Sequence, residues 1–574
     1  MFSGMQTSRF VPRQFLPDTI DLTDTAQLAP VFDRLAAKLA AAASVADLET
    51  WLGDHSEVSA ALAESSSVTY IAMTCQTDDP EKEKAYMHLI EVVDPWLKPR
   101  QFGLMQKLVA SPFFAQLPAF YEVFRRSVET QVKIYREENV ARETEIAKFA
   151  QQYQKISGGM TVRFDGEEQT LARMARVQEE PNRARREEAW KLVTARRLQD
   201  AEKLDELFDQ MLALRHQSAL AAGFPDFRAY MFAAYERFDY TPEDCLRFHD
   251  AIEHHVVPLT RALQEERRGK LGLERLRPWD LAVDPDHNPP LHPFQASSEL
   301  LEKCHLIFAK LDPRLGEYYH VLRAQELVDL DNRKGKAPGG YQSTLSESRV
   351  PFIFMNAVGA HRDVETMLHE AGHAFHALAA RELPLHAYRN APIEFCEVAS
   401  MGMELLAAPH LDAFYSERET KRARRDHLEG IIKFFPWMAA VDAFQHWVYT
   451  HPQHTRAERR AQWLALMERF GGAEDWSGFE EARAYGWHRQ LHIFEIPFYY
   501  VEYGIAQLGA LQLWQASRRD VAAALDHYLQ GLSLGGSRPL PELFNASGLK
   551  FDFTDRTIAP LMDRVKEALV ELAA

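Results

Sequence analysis

A mainly α-helical fold, with a small β-sheet beside a metal-binding helix, is predicted by three observations. Apolar residues recur at helical spacing along most of the chain. Alternating runs are few and short. The stretch His369-Glu370-Ala371-Gly372-His373 sets two metal-ligating side chains four residues apart.

The helical pattern begins at about Thr25 and runs to Leu117, with segments such as Pro30 to Ala43 and Lys82 to Trp96 separated by polar breaks. From Phe120 to Lys155 the periodicity predicts one extended amphipathic helix with a solvated charged face. Gly158-Gly159 then opens an alternating run, Met160 to Phe164, and Asp165-Gly166 is a hairpin turn signal. Helices resume at about Leu171. Thr241-Pro242-Glu243 supplies an N-cap, a first-turn proline and an early acid, and starts a helix carrying His249, Asp250, His254 and His255, read as a solvated face. The Pro-rich stretch Asp284 to Pro293 is expected to be a surface connection before a helix starting near Ser297. Leu327 to Ser348 is Gly-rich and polar, and the apolar run Val350 to Met355 reads as a strand leading into the helix that follows.

That helix carries the central motif. Val364, Met367, Leu368, Ala371, Phe375 and Leu378 form its apolar stripe, Asp363 is a candidate N-cap, and Pro384 follows its end. On a helix, residues four apart project from one face on successive turns, so His369 and His373 can reach one metal ion. Glu370 then points beside the metal, where a carboxylate can take a proton from an activated water. Burying three ionisable groups in a helix that needs only a core seam would be costly without partners.

The 574 residues suffice for more than one hydrophobic core. Lys+Arg 66 against Asp+Glu 83 gives a net charge of -17, which disfavours a nucleic-acid partner. Cys75, Cys245, Cys304 and Cys396 are scattered with no CxxC pair, which predicts a reducing compartment rather than a disulfide framework. Met1 through Pro17 has two arginines and no continuous apolar core, and no stretch reaches the roughly 18 apolar residues of a membrane span. A cytoplasmic protein with no membrane partner is expected.

A catalytic zinc keeps three protein ligands and one open position. The residues after His373 do not supply the glycine and third histidine of the extended metzincin motif, and His376 reads as structural. Downstream, Asn390-Ala391-Pro392 starts a second helix that Pro409 closes, and it carries Glu394, Glu397 and Glu404 within a broad sector of one face. Periodicity leaves the three open, and Glu394 comes near the separation seen in thermolysin-like enzymes. Paired Glu-x-x-His segments, Glu302 with His305, Glu317 with His320 and Glu370 with His373, also admit a di-iron carboxylate protein, although that leaves His369 unexplained. A helical protein that holds a metal without chemistry is the other alternative. An intact Glu370 argues against it.

Near the C-terminus, His492 is followed by Tyr499, Tyr500 and Tyr503, a concentration of phenols beside an imidazole. Buried hydroxyls need partners, and such donors can stabilise negative charge developing on a carbonyl oxygen. Gly339-Gly340-Tyr341 could permit close backbone approach of a substrate, and a strand edge at Val350 to Met355 could pair with an extended peptide.

Lys336 to Tyr341, Pro351 to Phe354, Asp363 to Phe375 and Glu397 to Ser400, in this order, resemble the oligoendopeptidase F branch of the thimet oligopeptidase family of zinc metallopeptidases. The matching motifs cover roughly residues 200 to 574, and the helical N-terminal part agrees in character. The resemblance implies a two-lobed helical peptidase with a deep central channel, an N-terminal helical domain over 1–200 and a catalytic domain over 201–574. It implies one Zn2+ per chain held by His369, His373 and Glu397, with Glu404 fixing a zinc-bound histidine and Glu370 as general base. His492, Tyr500 and Tyr503 are the implied oxyanion donors, with Tyr499 as an alternative to Tyr500. Gly339, Gly340, Tyr341 and Tyr499 are expected to bind substrate, and the expected reaction is cleavage of internal bonds in short peptides.

Overall fold

The structure is a computed structural model that describes residues 8–573, so the start of the Met1 to Pro17 stretch lies outside the described residues. The described residues pack into two compact units, each assembled from separate stretches of chain. One comprises the N-terminal segment through Val132, Pro290–Ala423 and Ala506–Phe551, and the other Lys133–Pro289, Arg424–Ile505 and Asp552–Ala574. No helix among the described residues is long and apolar enough to cross a membrane.

In the first unit, helices Thr25–Ala40 and Val45–Cys75 start on the side-chain caps of Asp24 and Ser44. They enclose a core around Leu28, Leu35, Trp51 and Leu108, and the Trp51 indole donates to the Leu35 carbonyl at 2.9 Å. Helicity continues through Pro80–His88 and a π turn to Asp94–Val109.

Among the described residues, five strands form two sheets. β1 (Thr161–Phe164) and β2 (Glu167–Thr170) make an antiparallel hairpin in the second unit, turning through Asp165 and Gly166 at φ 53° and 80°. Both turn residues take the left-handed conformation that Asp-Gly tolerates, as the sequence predicts. β3 (Val328–Asp331), β4 (Tyr341–Leu345) and β5 (Val350–Ala357) form a sheet in the first unit, ordered β3-β5-β4. β5 pairs in parallel with β3 (Val328 opposite Ile353) and antiparallel with β4 (Tyr341 opposite Phe354). Phe352, Ile353 and Phe354 are completely buried, each contributing about 1.5–3 kcal/mol of hydrophobic stabilisation. This corrects the expectation for Val350 to Met355: that strand is central and both its edges are paired. The edge strands are β3 and β4.

The expected single helix from Phe120 to Lys155 is two helices, Glu122–Ile134 and Glu137–Gly158. Arg136 has extended backbone at the break, and its guanidinium donates to the carbonyls of Ala221 and Ala222 at 3.0 and 3.2 Å. Those long-range bonds hold the backbone at a break that amphipathic periodicity does not register. The helix Pro242–His255 begins at a capping box between Thr241 and Asp244. Its histidines do not share one solvated face: His254 is exposed, but His249 is fully buried.

Candidate metal centre

β5 leads into the helix His361–Ala380, which carries the central motif, and the glutamate helix Ile393–Ala407 lies against it. Asp363 stands inside the first turn rather than at the N-cap, which is Ala360. Its carboxylate accepts from the main-chain N–H groups of Val358 and Ala360 at 2.8 and 2.9 Å, satisfying donors a helix start leaves open. Gly372 lets the two helices meet backbone to backbone. A Cβ there would lie 2.5 Å from Ser400 Cα and 2.6 Å from the Ala399 carbonyl oxygen.

This approach brings His369, His373 and Glu397 together, with one ligand atom from each within 4.8 Å of the others. Glu397 Oε2 is 3.4 Å from His369 Nε2 and 3.9 Å from His373 Nε2, and the two imidazoles are nearly perpendicular at 83°. The His369 and His373 side chains keep 26% and 18% of their surface exposed, so one side of the cluster is accessible. Glu394 is buried on the same helix but is not part of the cluster.

The neighbours orient these groups. Glu404 Oε1 lies 2.6 Å from His369 Nδ1, and because a carboxylate only accepts, Nδ1 carries the proton and Nε2 is left to bind a metal. Ser400 Oγ donates to Glu397 Oε2 at 3.1 Å. Burial works against a charge on His369, but its bonds to Glu397 and Glu404 prevail and hold its pKa well above the usual range. Glu397 stays ionised despite burial because His369 and His373 lower its pKa. A cation is therefore favoured where the carboxylates converge. Two imidazoles and one buried carboxylate with a fourth side open fit a divalent ion of the zinc class.

Glu370, 7% exposed, is raised to about 7, chiefly by burial, with Glu397 adding to the rise and the His369 charge and the Gln342 main-chain N–H opposing it. His376 faces Phe395 with ring centroids 5.6 Å apart, and burial lowers it to about 3, consistent with a structural role. Gly339 has φ 97°, and Gly340 approaches the motif helix so closely that a Cβ would be 3.3 Å from Thr366 Cγ2. The Tyr341 hydroxyl is 2.6 Å from Thr74 Oγ1 and its ring stacks on Phe354 at 4.8 Å, so this side chain is engaged within its own unit.

The di-iron alternative finds no support. Among the described residues, neither group of converging metal-ligating atoms includes Glu302, His305, Glu317 or His320, and Glu302 is ion-paired with Arg323.

In the second unit, His492 and the tyrosines do form one cluster. The His492 ring lies 4.8 Å from Tyr500, 6.1 Å from Tyr503 and 6.3 Å from Tyr499. Phe498, just before them, has φ 68°, a strained conformation held by bonds from its N–H to Gln445 Oε1 at 2.8 Å and from Arg237 to its carbonyl. The tautomer of His492 follows from its neighbours. The Trp437 indole donates to Gln490 Oε1 at 2.9 Å, which turns the Gln490 amide nitrogen toward His492 Nδ1 at 2.6 Å. Nδ1 must then accept, leaving the proton on Nε2. Burial lowers His492 to about 4, so the ring is a neutral N–H donor at pH 7. Sequence reasoning missed Trp437 and Gln490, whose role depends on a relay between remote positions. Ser400 was visible in the Glu397 to Ser400 segment.

A helical protein with a His-Glu-x-x-His helix and a downstream glutamate brought onto it is the class that fold and site define. Residues 176–562 match the profile of peptidase family M3, and residues 15–135 that of the peptidase M3 N-terminal domain. The chain belongs to peptidase family M3. It is 23% identical over 305 residues to an oligoendopeptidase F homolog of Borreliella burgdorferi, a match covering 51% of this chain and 50% of that protein. The chain thus spans about half the length of that curated relative. Its fold is similar to an X-ray structure of a candidate oligoendopeptidase F, at TM-score 0.86 and 30% identity, covering 98% of this chain and 100% of the other. It is also similar to PZ peptidase A with an inhibitor, at TM-score 0.87 and 29% identity, covering 97% and 99%.

Proposed function

We propose that this chain is a zinc-dependent oligoendopeptidase that hydrolyses internal bonds of short peptides. The observation that carries the reading is the convergence of His369, His373 and Glu397 on one point with Glu370 next to His369. His369, His373 and Glu397 would hold the zinc, which when bound would supply Lewis acidity at this point.

Glu370 takes a proton from the attacking water and passes it to the departing amine. Glu404 keeps His369 in the ligating tautomer. His492 Nε2–H and the hydroxyls of Tyr500 and Tyr503 are the proposed donors to the carbonyl oxygen as it gains charge, a role supported by their clustering and the relay that fixes the His492 proton. β4 is the proposed docking edge for an extended peptide, which main-chain hydrogen bonds would hold with little sequence preference. Gly339, with no heavy atom within 4 Å of where a Cβ would lie, leaves room for backbone approach, while Gly340 lets the chain lie close to Thr366 of the motif helix. Preference for short peptides rests on the oligoendopeptidase names of the relatives. A reducing cytoplasm is the proposed compartment, supported by four scattered cysteines without a CxxC pair.

The test is incubation of the zinc-loaded protein with mixed unlabelled peptides of different lengths, with and without chelator, and product analysis by mass spectrometry. Internal cleavage of short peptides that stops with chelator and returns with zinc is expected. Cleavage indifferent to chelator, or none with zinc bound, overturns the reading.

A further inference from the structure

A second convergence of metal-ligating side chains lies in the second unit, remote in sequence from the His-Glu-x-x-His motif. Cys245 and His249 are four residues apart on the helix Pro242–His255, and Asp442 and His446 are four apart on Glu417–Thr450. Each pair therefore projects from one face of its own helix on successive turns. One ligand atom from each of Cys245, Asp442 and His446 lies within 4.8 Å of the others. Asp442 Oδ2 is 3.2 Å from His446 Nε2 and 2.9 Å from His249 Nε2.

The setting is dry. Asp442 and His249 are 0% exposed, Cys245 1% and His446 3%. Phe470 packs against His249, and Phe232 and Phe498 against His446, with ring centroids 5.4–6.4 Å apart. The polar atoms are nevertheless not all consumed by hydrogen bonds: Asp442 Oδ1, His446 Nδ1 and His249 Nδ1 have no hydrogen-bond partner, and His446 Nε2 has only its 3.2 Å approach to Asp442 Oδ2. Taking a carboxylate out of water costs several kcal/mol unless its lone pairs are satisfied, and a merely structural Asp–His pairing would leave half of this one unused. No step of the proposed peptidase reaction uses these residues.

We propose that Cys245, Asp442 and His446 form a second metal site, with His249 holding the Asp442 carboxylate, and that it takes a borderline divalent ion of the zinc class. A thiolate, an imidazole and a carboxylate select such an ion over magnesium or calcium, which take oxygen ligands. An ion of this class takes ligand bonds of about 2.0–2.3 Å, which ligand atoms lying within 4.8 Å of one another can surround. Binding deprotonates the Cys245 thiol and releases that proton to solvent. The ion would tie the two helices together through their buried faces, a structural role.

Cobalt makes the site visible separately from the first one, because only this site contributes a thiolate. Full-length protein produced in cobalt-supplemented medium is measured by elemental analysis and by near-ultraviolet absorption for the thiolate-to-cobalt charge-transfer band. Two ions per chain and the band are expected. Cys245→Ser should lose the band and one ion, Asp442→Asn should lose the same ion, and His373→Ala should keep the band. A cobalt-loaded wild-type protein without the band overturns the proposal, as does a band that persists in Cys245→Ser. Should either variant fail to fold, the wild-type spectrum still decides whether a metal–thiolate bond exists.

Discussion

Replacing Glu404 tests the logic of the metal centre without touching a ligand. Its carboxylate accepts from His369 Nδ1 at 2.6 Å, with side-chain exposures of 16% and 26%, so the bond is short, ionic and largely shielded from water. A charge-assisted bond of this kind fixes the imidazole plane and raises the basicity of Nε2. Loss of such a partner costs roughly 10- to 100-fold in metal affinity. At about 1.4 kcal/mol per decade this is about 1.4–2.8 kcal/mol. Glu404→Gln keeps a carbonyl acceptor and should fall near the 10-fold end, whereas Glu404→Ala leaves Nδ1–H without that acceptor and should approach 100-fold. Zinc affinity is measured by competition with a chromophoric chelator at neutral pH, and turnover at saturating zinc separates positioning from chemistry. Wild-type zinc affinity in Glu404→Ala would refute the argument that this carboxylate prepares His369 for the metal.

The remaining predictions concern the base, the helix contact, the donors and pH. Glu370→Gln should retain zinc by elemental analysis and lose about 10²- to 10⁴-fold in kcat on an internally quenched peptide, and a near-normal kcat removes it as the base. Gly372→Ala places a methyl group against Ser400 and the Ala399 carbonyl, so thermal unfolding should show a loss of about 1–3 kcal/mol together with weaker zinc binding; an unchanged midpoint would mean the helices part freely. Of Tyr500→Phe and Tyr503→Phe, the one that removes an oxyanion donor should lower kcat by about 10²- to 10³-fold with zinc affinity intact, and normal rates in both exclude the phenols from catalysis. Asp329 is buried, which raises its pKa, but Arg333, Cys75 and Lys336 outweigh burial and hold it below the ordinary carboxyl value. Its contribution to stability is therefore present above about pH 4 and lost as pH falls through the depressed folded-state value, so the gap in unfolding midpoint between wild type and Asp329→Asn should close in acid. A gap independent of pH would contradict the ion-pair account.

Local signals were legible wherever the responsible contacts lie within a turn or two. The Asp165-Gly166 hairpin, the cap at Thr241, the helix through His369 and His373 and the strand from Val350 all follow from neighbours in sequence. Family membership was legible too, in the order of the motifs from Lys336 to Ser400.

The sequence by itself determined that His369 and His373 share a helix face with Glu370 between them, because helical pitch alone sets that geometry. Helical periodicity left Glu394, Glu397 and Glu404 open, and the ligand choice of Glu397 came only from the resemblance. The tertiary structure brings the Glu397 carboxylate between both histidines and Glu404 onto His369 Nδ1, an arrangement that depends on how the two helices meet at Gly372. The same holds for the helix break at Arg136, for β5 lying between two strands, for the His492 proton set by Trp437 through Gln490, and for His249 turning inward onto Asp442. Each rests on a contact between residues far apart in the chain, whose energy no local pattern carries.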